Sequence, residues 1–323
     1  YCCTVSIHFF RLQINHNIML NNKEISLKVP ATTGNVGSGF DCIGLAVDVW
    51  NSLLISFNSD NLVIENKGAS KDAYDSIKVK DNLIITGILE ACPGFDISKI
   101  KIFSENQIPY SNGLGSSAAA LCSGLLIGNY LNENKFSLED LTEKAIKIEG
   151  HPDNVTPCLF GGLTISVFDD LNNKWIVRKI DIPKELNIMV FTPDFISNTN
   201  TSRKKLPKSV SRLSAVYNIS RVALLIDSLH RNDLALLNQA TKDSLHQDVR
   251  LEGFPEMKSI MNAAMEGGAL GTIVSGSGPS IMIFSNGNEF TIDYEIKEAA
   301  RKHNLEGNTI ITKPSNQGIV LSK

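Results

Sequence analysis

The sequence predicts an α+β fold of two layered domains, and three observations carry that reading. Short alternating apolar runs, as at 24–31 and 100–103, have the pattern of half-buried strands. Segments with apolar residues on one face, as at 116–131, have the pattern of helices, and they are mixed with hairpin-like strand pairs in both halves. At 323 residues, 42% hydrophobic and 20% charged, the chain has globular composition and enough length for about two domains. A polar turn at 169–173 marks the boundary, which gives an N-terminal domain at 25–170 and a C-terminal domain at 171–323.

In the first half, strands are expected at 24–31, 43–48, 53–57, 62–64 and 100–103. A helix at 82–91 is stopped by Pro93-Gly94. The helix at 116–131 carries a stripe of Ala118, Leu121, Cys122, Leu125 and Leu126, with Ser116 or Ser117 as its N-cap. An amphipathic helix at 138–148 follows, then a buried strand at 158–167 bent at Gly161-Gly162. The second half reads as a strand at 187–192 and helices at 211–229, 234–245 and 255–266. Next come strands at 271–274 and 280–284 about a glycine turn, a helix at 292–303, and strands at 309–312 and 318–321.

The net charge of −3, from 31 basic and 34 acidic residues, offers no general attraction to nucleic acid or anionic membrane. No apolar stretch approaches the ~20 residues that span a bilayer. None of the six cysteines forms a CxxC pair, so a zinc site and a disulfide scaffold are both disfavoured. Cys122 and Cys158 sit in apolar runs and read as small buried hydrophobes. Residues 1–24 lack clear periodicity and read as a non-native or disordered extension. Met19 is a candidate start; a transit-peptide remnant, with Arg11 as weak support, is the other reading. The expected compartment is the cytoplasm, or a plastid if the transit-peptide reading holds.

Three glycine loops carry the chemistry. The second, Pro109-Tyr110-Ser111-Asn112-Gly113-Leu114-Gly115-Ser116-Ser117-Ala118-Ala119, runs straight into a helix. First-turn N–H groups of a helix have no intrahelical partner and sit at the positive end of its dipole. Gly113 and Gly115 let backbone approach a ligand closely, which makes this an expected anion site, with phosphate as the expected anion. A plain serine-capped helix start uses the same N–H groups and remains the alternative for this loop by itself. No Lys follows the last glycine as a Walker A motif requires, and GxGxxG occurs nowhere. The first loop, residues 30–41, holds Asn35 and Asp41 on either side of Gly34, Gly37 and Gly39. The third, Ser275-Gly276-Ser277-Gly278, offers hydroxyls and N–H groups beside a hairpin turn.

Between the loops lie Glu149, His151, Asp153 and Asn154. A divalent cation on nucleotide phosphates needs only one or two protein oxygens, which Glu149 and a serine of the second loop can supply. Taken singly, Glu149 is equally a solvated helix end and His151 a hydrogen-bonded structural histidine. Arg203 and Arg250 can bind a carboxylate bidentately, though either alone reads as surface.

The order of these loops and their partners resembles the GHMP kinases. Residues 108–119 match that superfamily's ATP loop, and the resemblance covers 25–321. Within it, residues 30–41, 149–155, Phe160-Gly161-Gly162, Arg203 before Leu206-Pro207, and Leu245-His246-Gln247 before Arg250 most resemble the homoserine kinase branch. Two departures stand out. Gly34 replaces the usual Ala, and Asp248-Val249 replaces Pro-Tyr beside Arg250.

The resemblance implies a fold with an N-terminal domain like the second domain of ribosomal protein S5 and a ferredoxin-like C-terminal domain. It implies transfer of the ATP γ-phosphate to the hydroxyl of L-homoserine, a step toward threonine. Residues 109–119 and Ser275 to Gly278 would hold ATP, and Ser117 and Glu149 the Mg²⁺. Asp41 would hold the substrate ammonium, Arg203 and Arg250 its carboxylate, with Asn35, Asn154 and Thr199 around the amino acid. Catalysis would fall to Asp153, Asn154 and Arg203, Asn154 orienting the hydroxyl rather than taking its proton. A homodimer is the base-rate expectation.

Overall fold

In strand β1 (Glu24–Gly34), Ile25, Leu27 and Val29 turn inward while Glu24, Ser26 and Lys28 meet water. Beyond Pro30 the strand is buried on both faces, and a register shift between Pro30 and Ala31 carries it past a residue with no N–H to donate. It belongs to a computed structural model that describes residues 24–57, 59–195 and 199–322, with backbone only at 199–201. The expectations for residues 1–23, including Met19, Arg11, Cys2 and Cys3, lie outside the described residues.

The first half continues with β2 (Ile43–Phe57), β3 (Val63–Gly68), α1 (Lys71–Asp75), α2 (Leu83–Ala91), β4 (Ile100–Asn106), α3 (Ser116–Leu131), α4 (Leu138–Glu149), α5 (Pro152–Phe160), β5 (Leu163–Asp169) and β6 (Lys174–Ile180). The second half holds β7 (Asn187–Pro193), α6 (Thr199–Lys204), α7 (Arg212–Arg231), α8 (Leu237–Ala240), α9 (Gln247–Leu251), α10 (Glu256–Glu266), β8 (Gly271–Val274), β9 (Ile281–Ser285), α11 (Glu289–Lys302), β10 (Gly307–Thr312) and β11 (Val320–Ser322).

One sheet runs β11-β1-β2-β4-β3, with β5 pairing β2 and β6. The other runs β10-β7-β9-β8, all antiparallel. Its first and third strands are central, and helices connect β7 to β8 and β9 to β10, which is the ferredoxin-like order. Met257, Ile260 and Ala264 of α10 and Ile292 and Ile296 of α11 cover it, against Met189, Phe191 and Ile283. Among the described residues no helix is long and apolar enough to cross a membrane.

Four expectations are corrected. Residues 43–57 form one strand, not two. Residues 158–160 are helical, because Pro152 opens α5 at a position that needs no N–H donor, and strand begins only after Gly161 and Gly162, both at positive φ. The expected helix at 234–245 stops at Ala240, where Asp243 Oδ2 captures the N–H groups of His246 (2.7 Å) and Gln247 (2.8 Å). The boundary at 170 falls inside the first sheet, since 169–173 is the hairpin between paired strands β5 and β6, and β11 returns to β1.

Helix α3 is buried along most of its length, including Cys122, and Cys158 of α5 is buried beside it. It crosses α2 at Gly87, Gly124 and Gly128, where backbone meets backbone: a Cβ on Gly124 would lie 2.1 Å from the Ile84 carbonyl. Alanine is the better helix former by ~1 kcal/mol, yet overpacking costs about 1–3 kcal/mol. Gly124→Ala is therefore expected to lower stability in urea denaturation; a gain would show that the helices can separate without cost.

Candidate active site

Helix α3 begins after Gly115, which occupies the N-cap position at φ 70° with no side-chain cap. Neither serine caps it; Ser116 Oγ instead accepts from the Ser111 N–H at 3.3 Å and closes the loop. The first helical bond runs from Ala119 N–H to the Gly115 carbonyl at 2.9 Å, so the amides of Ser116, Ser117 and Ala118 point ahead of the helix. The two glycines also do something other than admit a ligand. A Cβ on Gly113 would lie 2.2 Å from the Ser275 carbonyl, and one on Gly115 would lie 2.0 Å from Thr32 Oγ1. Their missing side chains let the second loop touch the third loop and β1.

Side chains tie the three loops together. Ser275 Oγ donates to the Gly113 carbonyl at 2.7 Å and lies 3.0 Å from Thr33 Oγ1. Asn35 Nδ2 donates to the Gly276 carbonyl at 3.0 Å, while its Oδ1 accepts from the Asp41 N–H at 3.1 Å. Arg250 Nη1 also donates to the Gly276 carbonyl. Asn35 and Asp41 hold φ of 71° and 57°, positions that a short polar side chain tolerates best.

The charged groups meet around Phe40. Arg203 grips Asp41 bidentately at 2.7 and 2.6 Å, and that hydrogen bond raises the guanidinium above its usual value. The Phe40 ring lies 5.7 Å from the Arg203 guanidinium and 5.8 Å from that of Arg250. Arg250 is 5% exposed, and burial pushes it down to about 10. Its Nε is buried without a hydrogen-bond partner.

Asp153 is buried, with its Oδ1 2.6 Å from His151 Nδ1. Burial alone would lower His151, but the hydrogen bond and charge of Asp153, with Glu149, outweigh it and hold it above its usual value. Asn154 Oδ1 accepts from Thr32 Oγ1 at 2.9 Å. A Cβ on Gly34 would stand 2.3 Å from Asp153 Oδ2 and 2.7 Å from Asn154 Nδ2, so glycine there gives this pair room that alanine would take. Ser117 Oγ donates to Glu149 Oε1, which brings a hydroxyl and a carboxylate together at the start of α3.

One cavity is lined by Asn35, Gly113, Ser117, Glu149, Asp153, Asn154, Arg203, Arg250 and Gly276, among others. Asp41 reaches it through Arg203. The side chain of Thr199 lies outside the described residues.

Comparison with known proteins agrees with this arrangement. The GHMP kinases N terminal domain matches residues 82–162, and the GHMP kinases C terminal region matches 225–304. A homoserine kinase of Clostridium botulinum is 36% identical over 93% of this chain and 99% of its own length. A homoserine kinase of Caldicellulosiruptor bescii is 35% identical over 91% and 95%. The chain belongs to the GHMP kinases. Among solved structures, the homoserine kinase from Cytophaga hutchinsonii superposes with a TM-score of 0.80 at 28% identity, covering 93% of this chain and 98% of that one. The L. major mevalonate kinase shares the fold, with a TM-score of 0.64 at 17% identity over 90% and 95%.

In this GHMP kinase the cavity extends to residues that carry no local signature in sequence. Asn66, Asn82 and Asn106 line it together with Ile64, Ile77 and Tyr74. Phe40 and His246 belong to the site through Arg203 and Arg250; both lie in segments that the resemblance covers, but nothing in the sequence assigned either a role.

His246 is buried, which lowers it below its usual 6.5; Asp243, the Gly37 carbonyl and Asp153 pull the other way, and Arg250 adds to the lowering. As pH falls past 6.5 the unfolded chain binds a proton here that the folded chain refuses, so stability falls on acidification. His246→Asn is expected to flatten that part of a urea-denaturation pH profile; an unchanged slope would place the proton uptake on other groups.

Proposed function

We propose that this ATP-dependent kinase transfers the γ-phosphoryl group of ATP to the side-chain hydroxyl of L-homoserine, giving O-phospho-L-homoserine and ADP, a step toward threonine. The observation that carries this is the bidentate Arg203–Asp41 pair, with the buried Arg250 also against Phe40, in the cavity that faces the start of α3. A zwitterionic amino acid offers the same two charges as that pair. Its ammonium replaces Arg203 on Asp41, and its carboxylate replaces Asp41 on Arg203. Arg250, which lines the same cavity, supplies a further cationic donor to the carboxylate. Relatives named homoserine kinase along their full length support the same substrate.

The phosphates of ATP would lie on the N–H groups ahead of α3 and beside the Ser275 to Gly278 turn. The amides of Asn66, Asn82 and Asn106 between apolar walls suit the edge and faces of a purine base. Ser117 and Glu149 fit a Mg²⁺ site, because a hydroxyl and a carboxylate are hard oxygen donors and phosphates supply the remaining ligands. The ion, when bound, neutralises charge on the transferred phosphoryl group. Asn154 and Asp153, which line the cavity, would orient the acceptor hydroxyl toward the γ-phosphorus. Phosphoryl transfer asks mainly for position and charge neutralisation, so no strong base is needed.

ADP release with Mg-ATP and a panel of homoserine, mevalonate, galactose, shikimate and threonine is expected to be fastest with homoserine. Release no faster than with mevalonate would contradict the proposal. Asp41→Ala is expected to lower kcat/KM for homoserine by on the order of 10- to 100-fold, the worth of a charge-assisted contact. Glu149→Gln is expected to raise the Mg²⁺ concentration for half-maximal rate by roughly tenfold; an unaltered requirement removes Glu149 from the metal site.

A further inference from the structure

His246 is 1% exposed, and both of its ring nitrogens are engaged. Nε2 lies 2.8 Å from the Gly37 carbonyl, which only accepts, so Nε2 carries the hydrogen. Nδ1 lies 3.0 Å from Arg250 Nη1, which only donates, so Nδ1 offers its lone pair. One neutral tautomer satisfies both contacts, and no other state of the ring does. Phe40 covers the ring, with centroids 5.3 Å apart.

The surroundings hold that orientation. Asp243 sits 3.8 Å from Nε2 and is occupied by the N–H groups of His246 and Gln247 and by Asn218 Nδ2. Gln247 in turn bonds the Thr241 carbonyl at 3.2 Å and the Val274 N–H at 2.7 Å. Arg250 Nη1 has two hydrogens: one goes to His246 Nδ1 and the other to the Gly276 carbonyl. With Nη1 engaged twice and Nε buried away from solvent, Nη2 is the nitrogen of this guanidinium left for a ligand.

We propose that His246 is a positioning residue for the substrate carboxylate: as the Nε2–H tautomer it tethers the first glycine loop to Arg250 and fixes which edge of that guanidinium the carboxylate meets. The proposal rests on the reading that Arg250 binds the carboxylate. It gives the histidine a role in reading the amino acid and none in handling ATP.

Two uncharged substitutions separate the two nitrogens. In His246→Asn the amide oxygen takes the place of Nδ1 and keeps an acceptor for Arg250. In His246→Gln the amide nitrogen takes the place of Nε2 and keeps a donor for Gly37. The full-length enzyme is assayed with homoserine, with ATP, and with 3-aminopropan-1-ol, which lacks only the carboxylate, as alternative substrate or competitor. His246→Gln is expected to raise KM for homoserine by roughly tenfold or more. The constants for ATP and 3-aminopropan-1-ol should stay within about twofold, and His246→Asn should recover most of the homoserine affinity. If all three constants move together, or if Asn performs no better than Gln, the histidine merely packs and the proposal is overturned. If His246→Gln does not fold, His246→Ala, which offers neither contact, takes its place against His246→Asn. Arg250→Met, measured alongside, isolates the underlying assumption. Should it keep the preference for homoserine over the amino alcohol, the carboxylate reading of Arg250 is wrong. Should it lose that preference while His246→Gln keeps it, the assumption stands and the positioning role fails alone.

Discussion

The Gly276 carbonyl sits in the turn between β8 and β9 and accepts from two side chains, Asn35 of the first loop and Arg250 of α9. A residue earlier, Ser275 bonds the second loop at Gly113 and touches β1 at Thr33. One turn of the C-terminal sheet therefore registers three segments, two of which lie more than 160 residues away in sequence. The approach is possible only because Gly113 presents no Cβ to the Ser275 carbonyl, and because Gly37 presents none to Thr241, whose carbonyl a Cβ would meet at 2.3 Å. Loosen this junction and the anion-facing helix start loses its position relative to the charged groups around Phe40.

Those charges are arranged to be tolerable before any ligand arrives. Removing a charge from water is costly unless it is paired and hydrogen-bonded. Asp41 and Arg203 satisfy each other, and Asp153 has His151. Arg250 is the most deeply buried of the cations at this site, and it leans on a neutral histidine, a carbonyl and an aromatic face rather than on a carboxylate. That leaves it electrostatically under-compensated, which is a reason for an anionic group to bind beside it.

The helix α3, the Ser275–Pro279 turn and the alternation in β1 are all legible from local pattern, because each depends on neighbours within a few residues. So were the glycine loops as chemical features, and Asp41, Arg203 and Arg250 as candidates. Local pattern misled where a distant partner decides. Residues 158–160 look like the start of a strand and are the end of a helix opened by Pro152. Residues 241–245 continue a helical pattern, but Asp243 diverts their backbone. The amides of Asn66, Asn82 and Asn106 have no motif, since strand register and chain crossing bring them to one cavity wall.

The sequence by itself determined the family, the two-layer α+β plan and the residue types that a phosphate and a zwitterion require. These follow from short-range periodicity, from glycines where backbone must bend, and from charged residues at fixed spacing within single loops. Tertiary structure decided the rest: that Asp41 and Arg203 pair, that the glycines of the second loop face protein, and that His246 holds Arg250. Each of these is a contact between groups far apart in the chain. Its geometry depends on how two sheets are docked, to within an ångström, and no local pattern of residues encodes that distance.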